Sequence, residues 1–141
     1  MLQCVIGYLK FDAVMEIMEK NEFTTIRKKL AKTQKELSEL LGTSLKAVSS
    51  YEQGWRNIPV HVERQLLFLL AQKNNSGNHA CWDIRHCAEE MKQSCPAWEF
   101  NAGHLCWFIN GTVCNNDVKK NWAEKIAVCR KCPVFKAQLH L

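Results

Sequence analysis

Apolar residues recur at helical spacing through the first half of this 141-residue chain. Between Tyr8 and Lys20, Leu9, Ala13 and Ile17 share one face, with Val14 and Met18 beside them, which predicts an amphipathic helix over 8–20. Such a face packs on its own domain or serves as a dimer contact. From Phe23 to about Gln72 the pattern stays helical and is broken by short turns. A helix is expected over Thr25–Ala31. Thr33-Gln34-Lys35-Glu36 then reads as a capping box, in which the Thr33 hydroxyl accepts from the Glu36 amide and the Glu36 carboxylate accepts from the Thr33 amide. The second helix runs to about Leu41 and stops at Gly42. Ser44 caps a third, Leu45–Gln53, which ends at Gly54. A loop over Gly54–Pro59 leads to a fourth helix carrying Val62, Leu66, Leu67, Leu69 and Leu70.

The pattern changes at Lys73-Asn74-Asn75-Ser76-Gly77-Asn78, a polar, turn-prone stretch that reads as a linker. Beyond it no helical period is evident before Lys119. Asn121–Cys129 reads as one further helix, with Trp122, Ile126 and Cys129 on a shared face. The expected organisation is an N-terminal helix over 1–22, a helical domain over 23–73, a linker over 74–79 and a cysteine-rich domain over 80–136. Units this small bury little surface and often need a metal, disulfides or a partner.

The segment Ile26 to Leu37, followed by Leu40-Leu41-Gly42-Thr43-Ser44-Leu45-Lys46-Ala47-Val48-Ser49-Ser50-Tyr51-Glu52-Gln53-Gly54, closely resembles the phage-repressor/Cro (Xre-like) helix-turn-helix. In that family a Thr-Gln opens the second helix, a Gly ends it, a Ser opens the recognition helix and a Tyr-Glu-x-Gly closes it. The resemblance implies a lambda-repressor-like bundle that binds a double-stranded DNA operator, as a homodimer on paired half-sites. Leu37, Leu40, Val48 and Tyr51 would then fix the two helices at an angle. Ser44, Lys46, Ala47, Ser49 and Ser50 take the early recognition-helix positions, with Lys46 suited to phosphate or guanine and Ala47 to a thymine methyl. Thr33 and Gln34 join this DNA-facing set, Gln34 matching a phosphate- or base-contacting glutamine of the family. Lys28, Lys29, Lys32, Lys35 and Arg56 would supply phosphate contacts.

Charge agrees with this reading. The net charge is +5, and residues 23–75 hold nine Lys/Arg against four Asp/Glu, while residues 1–22 hold two Lys against four acids. The helix-turn-helix region is thus the basic part, as phosphate binding requires.

Seven of the eight cysteines lie beyond residue 80: Cys81, Cys87, Cys95, Cys106, Cys114, Cys129 and Cys132. Three chemistries fit such a cluster. An iron–sulfur centre, of which 4Fe-4S is the foremost type, takes four thiolates in a shielded cavity, and Cys129-x-x-Cys132-Pro133 has a spacing used in such sites. Structural zinc usually takes two close ligand pairs, and only one is present. Disulfides would leave one of the seven unpaired, unless Cys4, otherwise a small buried hydrophobe, made an eighth. With Cys81-Trp82, Cys95-Pro96-Ala97, Cys106-Trp107 and Gly111-Thr112-Val113-Cys114, this region resembles the "two-CW" cysteine domain, a module found alone or fused to regulatory partners. The resemblance implies that all seven cysteines belong to its site. It assigns no cofactor and includes no histidine at His79, His86 or His104. Trp82, Trp98, Trp107 and Trp122 are candidates to shield the site and to fill the core.

The start of the chain lacks a basic leading region, and Lys10 and Asp12 interrupt its apolar run, so neither a secretory signal nor a membrane span is expected. The expected compartment is the cytoplasm, where clustered cysteines bind metal or do redox chemistry more often than they form disulfides. No Gly-rich nucleotide loop or hydrolytic triad is evident, so an enzyme is not expected. The reading is a mainly α DNA-binding transcription regulator with an iron–sulfur-controlled cysteine domain. Its rivals are a zinc or thiol-switch domain in the same role, and a redox carrier or adaptor.

Overall fold

The structure, a computed structural model, describes residues 18–74 and 80–141. Most of the helix expected over 8–20, together with Cys4, residues 75–79 of the linker and His79, lies outside the described residues. Met18 and Glu19 are not helical; Glu19 is extended and Met18 is buried. The first helix, α1 (Lys20–Lys29), therefore opens earlier than Thr25, and it stops short of Ala31, which adopts a left-handed φ of 59°. Phe23 and Ile26 turn inward from α1, and Arg27, Lys28 and Lys29 occupy its last turn, where cations complement the helix dipole.

Helix α2 (Gln34–Leu41) begins on the expected capping box: Thr33 Oγ1 accepts from the Glu36 amide at 3.1 Å, and Glu36 Oε1 accepts from the Thr33 amide at 2.9 Å. Gly42 closes it at φ 68°, a conformation that costs a side-chain-bearing residue about 1–2 kcal/mol. Helix α3 (Leu45–Gln53) is capped by Ser44, whose Oγ accepts from the Ala47 amide at 3.0 Å, and ends at Gly54 with φ 80°. Helix α4 (Val60–Lys73) follows Pro59 and buries Val62, Leu66, Leu67 and Leu70. The core between α2 and α3 uses Leu37, Val48 and Tyr51 as expected but not Leu40, which is exposed; Leu41, one position on, takes the inward place. Tyr51 meets Phe23 edge to face, with ring centroids 5.6 Å apart.

The cysteine region is more helical than its pattern indicates. It contains α5 (Cys81–Arg85), α6 (Glu89–Gln93), α7 (Pro96–Glu99), a 3₁₀ turn (Gly103–Leu105) and α8 (Cys106–Ile109). A two-stranded antiparallel hairpin follows, β1 (Val113–Cys114) on β2 (Asp117–Val118), and then α9 (Trp122–Cys129) and α10 (Pro133–Leu139). The hairpin turns through Asn115 and Asn116, both at positive φ, as a tight two-residue loop requires. Elements of four or five residues complete barely one turn, so no 3.6-residue period accumulates in the sequence. Helix α9 was legible because it is longer and opens on an Asn121 cap, whose Oδ1 accepts from the Glu124 amide at 2.9 Å.

The two halves share one core. Trp107, Trp122, Ile126, Cys129, Phe135 and Leu139 join Phe23, Leu66, Leu67 and Leu70 in a single apolar cluster. Each fully buried large side chain there contributes about 1.5–3 kcal/mol. Polar ties reinforce the contact. Arg64 lies over the rings of Phe108 and Trp122 and donates to the Phe108 carbonyl at 2.9 Å. Trp122 Nε1 donates to Glu63 Oε1 at 3.3 Å, Asn74 donates to the Leu139 carbonyl at 3.1 Å, and Arg130 reaches Glu22. Among the described residues no helix is long and apolar enough to cross a membrane.

Candidate functional sites

The recognition helix α3 presents a narrower surface than its sequence suggests. Lys46 is exposed near its start, Ser49 is half-buried one turn on, and Gln53 is exposed near its end. These three share a stripe, and Gln53 Nε2 donates to Ser49 Oγ at 2.7 Å. Ala47 and Ser50, expected to face DNA, are instead 2% and 6% exposed and turned into the core. The i to i+3 and i+4 geometry that puts Val48 and Tyr51 inside also turns Ala47 and Ser50 inward. Gln53 lies beyond the early helix positions at which the family resemblance places contacts. Ser44 is exposed with its hydroxyl engaged in the cap, as is Thr33.

A buried-side network fixes the angle between α1, α2 and α3. Arg27 forks onto Glu52, Nε to Oε2 at 2.5 Å and Nη2 to Oε1 at 3.0 Å, and its Nη1 donates to the Lys32 carbonyl at 2.9 Å. Gln34 Nε2 also donates to Glu52 Oε1, at 2.9 Å, which commits its amide nitrogen to α3. Burial works against the Glu52 charge, but hydrogen bonds from Arg27 and Gln34 outweigh it and hold the carboxyl below its usual range. Lys28, Lys29, Lys35 and Arg56 remain exposed, and Lys32 is partly buried.

All seven cysteines beyond residue 80 line one cavity of about 440 Å³. Each comes from a different place: Cys81 opens α5, Cys87 follows it, Cys95 caps α7, Cys106 opens α8, Cys114 lies in β1, Cys129 ends α9 and Cys132 caps α10. The chain thus returns to this cavity from six elements and one loop, and all seven thiols are free. Trp82, Trp98 and Trp107 form part of the wall; Trp122 does not, being buried between the halves. Neither His86 nor His104 is in the wall. Among the described residues no three His, Cys, Asp or Glu side chains are grouped to hold a single metal ion.

The wall is cationic. Arg85, Lys92, Lys125 and Lys131 all contribute to it. Lys125 is 1% exposed, and its Nζ donates to the carbonyls of Gly111 at 2.8 Å and Trp107 at 3.3 Å. A buried ammonium is costly unless compensated, so it favours negative charge nearby. Sequence periodicity gave no sign of Lys125, because a lysine on a helix is ordinarily a solvated residue. Arg85 Nη1 approaches Cys114 Sγ at 3.8 Å, and Asn110 Nδ2 approaches Cys95 Sγ at 3.6 Å. The indole N–H of Trp107 is buried and has no hydrogen-bond partner among the described residues.

The thiols are unequal. Interaction with Cys106 lowers Cys81 below the usual thiol range, and the same interaction, with burial, raises Cys106 well above it. Burial pushes Cys129 up to about 11, against the opposing charge of Lys125. Burial, with the Cys81 charge, also raises Cys87.

Residues 25–61 match a helix-turn-helix family model. This span holds the second half of α1, all of α2 and α3, and the opening of α4, so this part of the chain is a DNA-binding regulator's helix-turn-helix. Neither the curated proteins nor the solved structures gave a match.

Proposed function

We propose, on the premise that residues 25–61 are a DNA-binding helix-turn-helix, that this protein is a cytoplasmic transcription regulator. It acts as a homodimer on a double-stranded operator, and the cysteine cavity holds an iron–sulfur cluster whose loading or oxidation state controls DNA binding. The single observation that carries the second part is the convergence of seven thiols, from seven separate points of the chain, on one cavity. Thiolates are the ligands such clusters take.

Three further features support the fit. The cavity is broader than one ion bound at about 2.3 Å from sulfur requires. Lys125 and Arg85 offset the negative charge of thiolates. The buried Trp107 N–H, which has no hydrogen-bond partner among the described residues, is a donor of the kind that tunes cluster sulfurs. Bound there, the cluster supplies a redox-active centre and ties the surrounding short helices together. The chain's own part is to exclude water with Trp82, Trp98 and Trp107 and to link the site to DNA. Helix α9 makes that link, with Cys129 and Lys125 facing the cavity and Trp122 bonded to Glu63 of α4.

The test is anaerobic purification with quantitation of iron, acid-labile sulfide and zinc, followed by operator binding of the loaded, oxidised and metal-free forms. Iron with sulfide and a state-dependent affinity is the expected result. Stoichiometric zinc, or equal affinity in all states, overturns control by a cluster. The Cys81–Cys106 interaction favours a second reading, a dithiol switch, in which both thiols give up their protons and two electrons to a cellular disulfide or peroxide. It requires metal-free protein whose DNA affinity follows the thiol–disulfide ratio.

A further inference from the structure

Seven thiols exceed the four that one cubane takes, and their surroundings divide them. The division rests on packing. Among the described residues the apolar interior consists of a large cluster spanning both halves and a small one around Ala97 and Val134. Cys129 belongs to the large cluster and Cys81 to the small one, both buried. Cys106 and Cys132 pack against both clusters at once and so mark their junction. Cys95 touches only the small cluster, and Cys87 and Cys114 touch neither.

We propose that Cys81, Cys106, Cys129 and Cys132 are the four ligands of the cluster, and that Cys87, Cys95 and Cys114 are not ligands. This assignment rests on the iron–sulfur reading above. Low water access is what such a centre needs, and the junction of two apolar clusters provides it. The geometry of the inner four is already constrained. The turn that closes α9 brings the Cys132 amide to the Cys129 carbonyl at 2.8 Å. Lys125 lies one helical turn before Cys129 and supplies a fixed positive charge beside the set. Two outer thiols have other partners: Asn110 bonds Cys95, and Arg85 bonds Cys114. Those contacts suit cysteines that stay on the cavity's outer wall.

The experiment treats the anaerobically purified, iron-loaded full chain with iodoacetamide and maps the modified cysteines by mass spectrometry. Cys87, Cys95 and Cys114 should be alkylated, and the inner four protected until the iron is chelated. In parallel, Cys87→Ala, Cys95→Ala and Cys114→Ala should each keep wild-type iron, sulfide and absorption spectrum, while alanine at any inner cysteine should lose them. Alkylation of an inner cysteine in the loaded protein, or full iron and sulfide in an inner alanine variant, overturns the assignment. Protection of an outer cysteine that is likewise released by chelation overturns it too, without depending on how any variant folds. Absence of iron from the wild-type chain would instead refute the cluster itself.

Discussion

Arg130 and Glu22 stand 108 residues apart in sequence and meet through two hydrogen bonds, Nη1 to Oε2 at 2.6 Å and Nη2 to Oε1 at 2.8 Å. Arg130 immediately follows Cys129 of the cavity, and Glu22 lies in the first turn of α1. The pair therefore joins the cysteine wall to the helix that braces the DNA-binding unit. Both side chains are about one-third exposed, so a double-mutant cycle with Glu22→Gln and Arg130→Gln should give a coupling energy of about 0.5–1 kcal/mol in urea unfolding. The same variants should narrow the difference in operator affinity between iron-loaded and metal-free protein. An undiminished difference would locate the communication elsewhere.

Glu52 is the hub on which Arg27 and Gln34 converge. Glu52→Gln replaces a charged acceptor with a neutral one and should cost about 1.5–3 kcal/mol at neutral pH. Because the folded carboxyl is held below its ordinary value of 4.5, its contribution is present above that value and is lost as pH falls through the lowered one. Denaturant curves of wild type and variant should therefore converge in acid. A constant gap from neutral pH to below the lowered value would contradict the ion-pair account.

Glu63 behaves in the opposite sense. Burial, the largest influence, raises its carboxyl above 4.5 although Trp122 donates to it. The folded state thus holds the proton more tightly than the unfolded chain. That stabilising contribution is full below the ordinary value and disappears as pH rises through the raised one. Glu63→Gln preserves an acceptor for Trp122 without a buried charge. Its melting temperature should exceed that of wild type at neutral pH, and the advantage should shrink near pH 4.

DNA binding should separate the exposed residues of the helix-turn-helix from the buried ones. If Lys46 reads a base, Lys46→Ala costs about 1–3 kcal/mol on the selected operator and relaxes preference at one position. Lys28→Ala should weaken binding across sequences and lower the salt slope by about 1. Ser50→Ala, at a buried position, should leave sequence preference unchanged in a binding-site selection. A changed preference would show that Ser50 reaches DNA after all.

The helix-turn-helix was legible because its signals are local. The Thr33–Glu36 box, the Ser44 cap and the glycines at 42 and 54 each act within four residues. Which side of α3 faced outward was less legible, since Ala47 and Ser50 are small enough for either face and their inward turn depends on the packing of α3 against α1 and α2. The cysteines announced a candidate site by their number, and residue type pointed to metal or thiol chemistry there. Their gathering in one cavity depends on the close approach of short elements. One such approach is at Gly103, where a Cβ would come within 2.7 Å of Ala80 and Trp82. Nothing in a hydrophobic period records it. The shared core was hidden for the same reason: a polar stretch beside Asn74 reads as a boundary, although Asn74 itself donates to Leu139.

That shared core has a thermodynamic corollary. Coupling between two binding events is reciprocal: whatever factor one applies to the affinity of the other is returned unchanged. If filling the cavity tightens or loosens the hold on DNA through α9, then DNA must shift the cavity's affinity for its occupant by the same ratio. The operator would then be an effector of the cysteine site as much as its target. A regulator seated on its promoter and one free in solution would differ in how readily they gain or lose the centre.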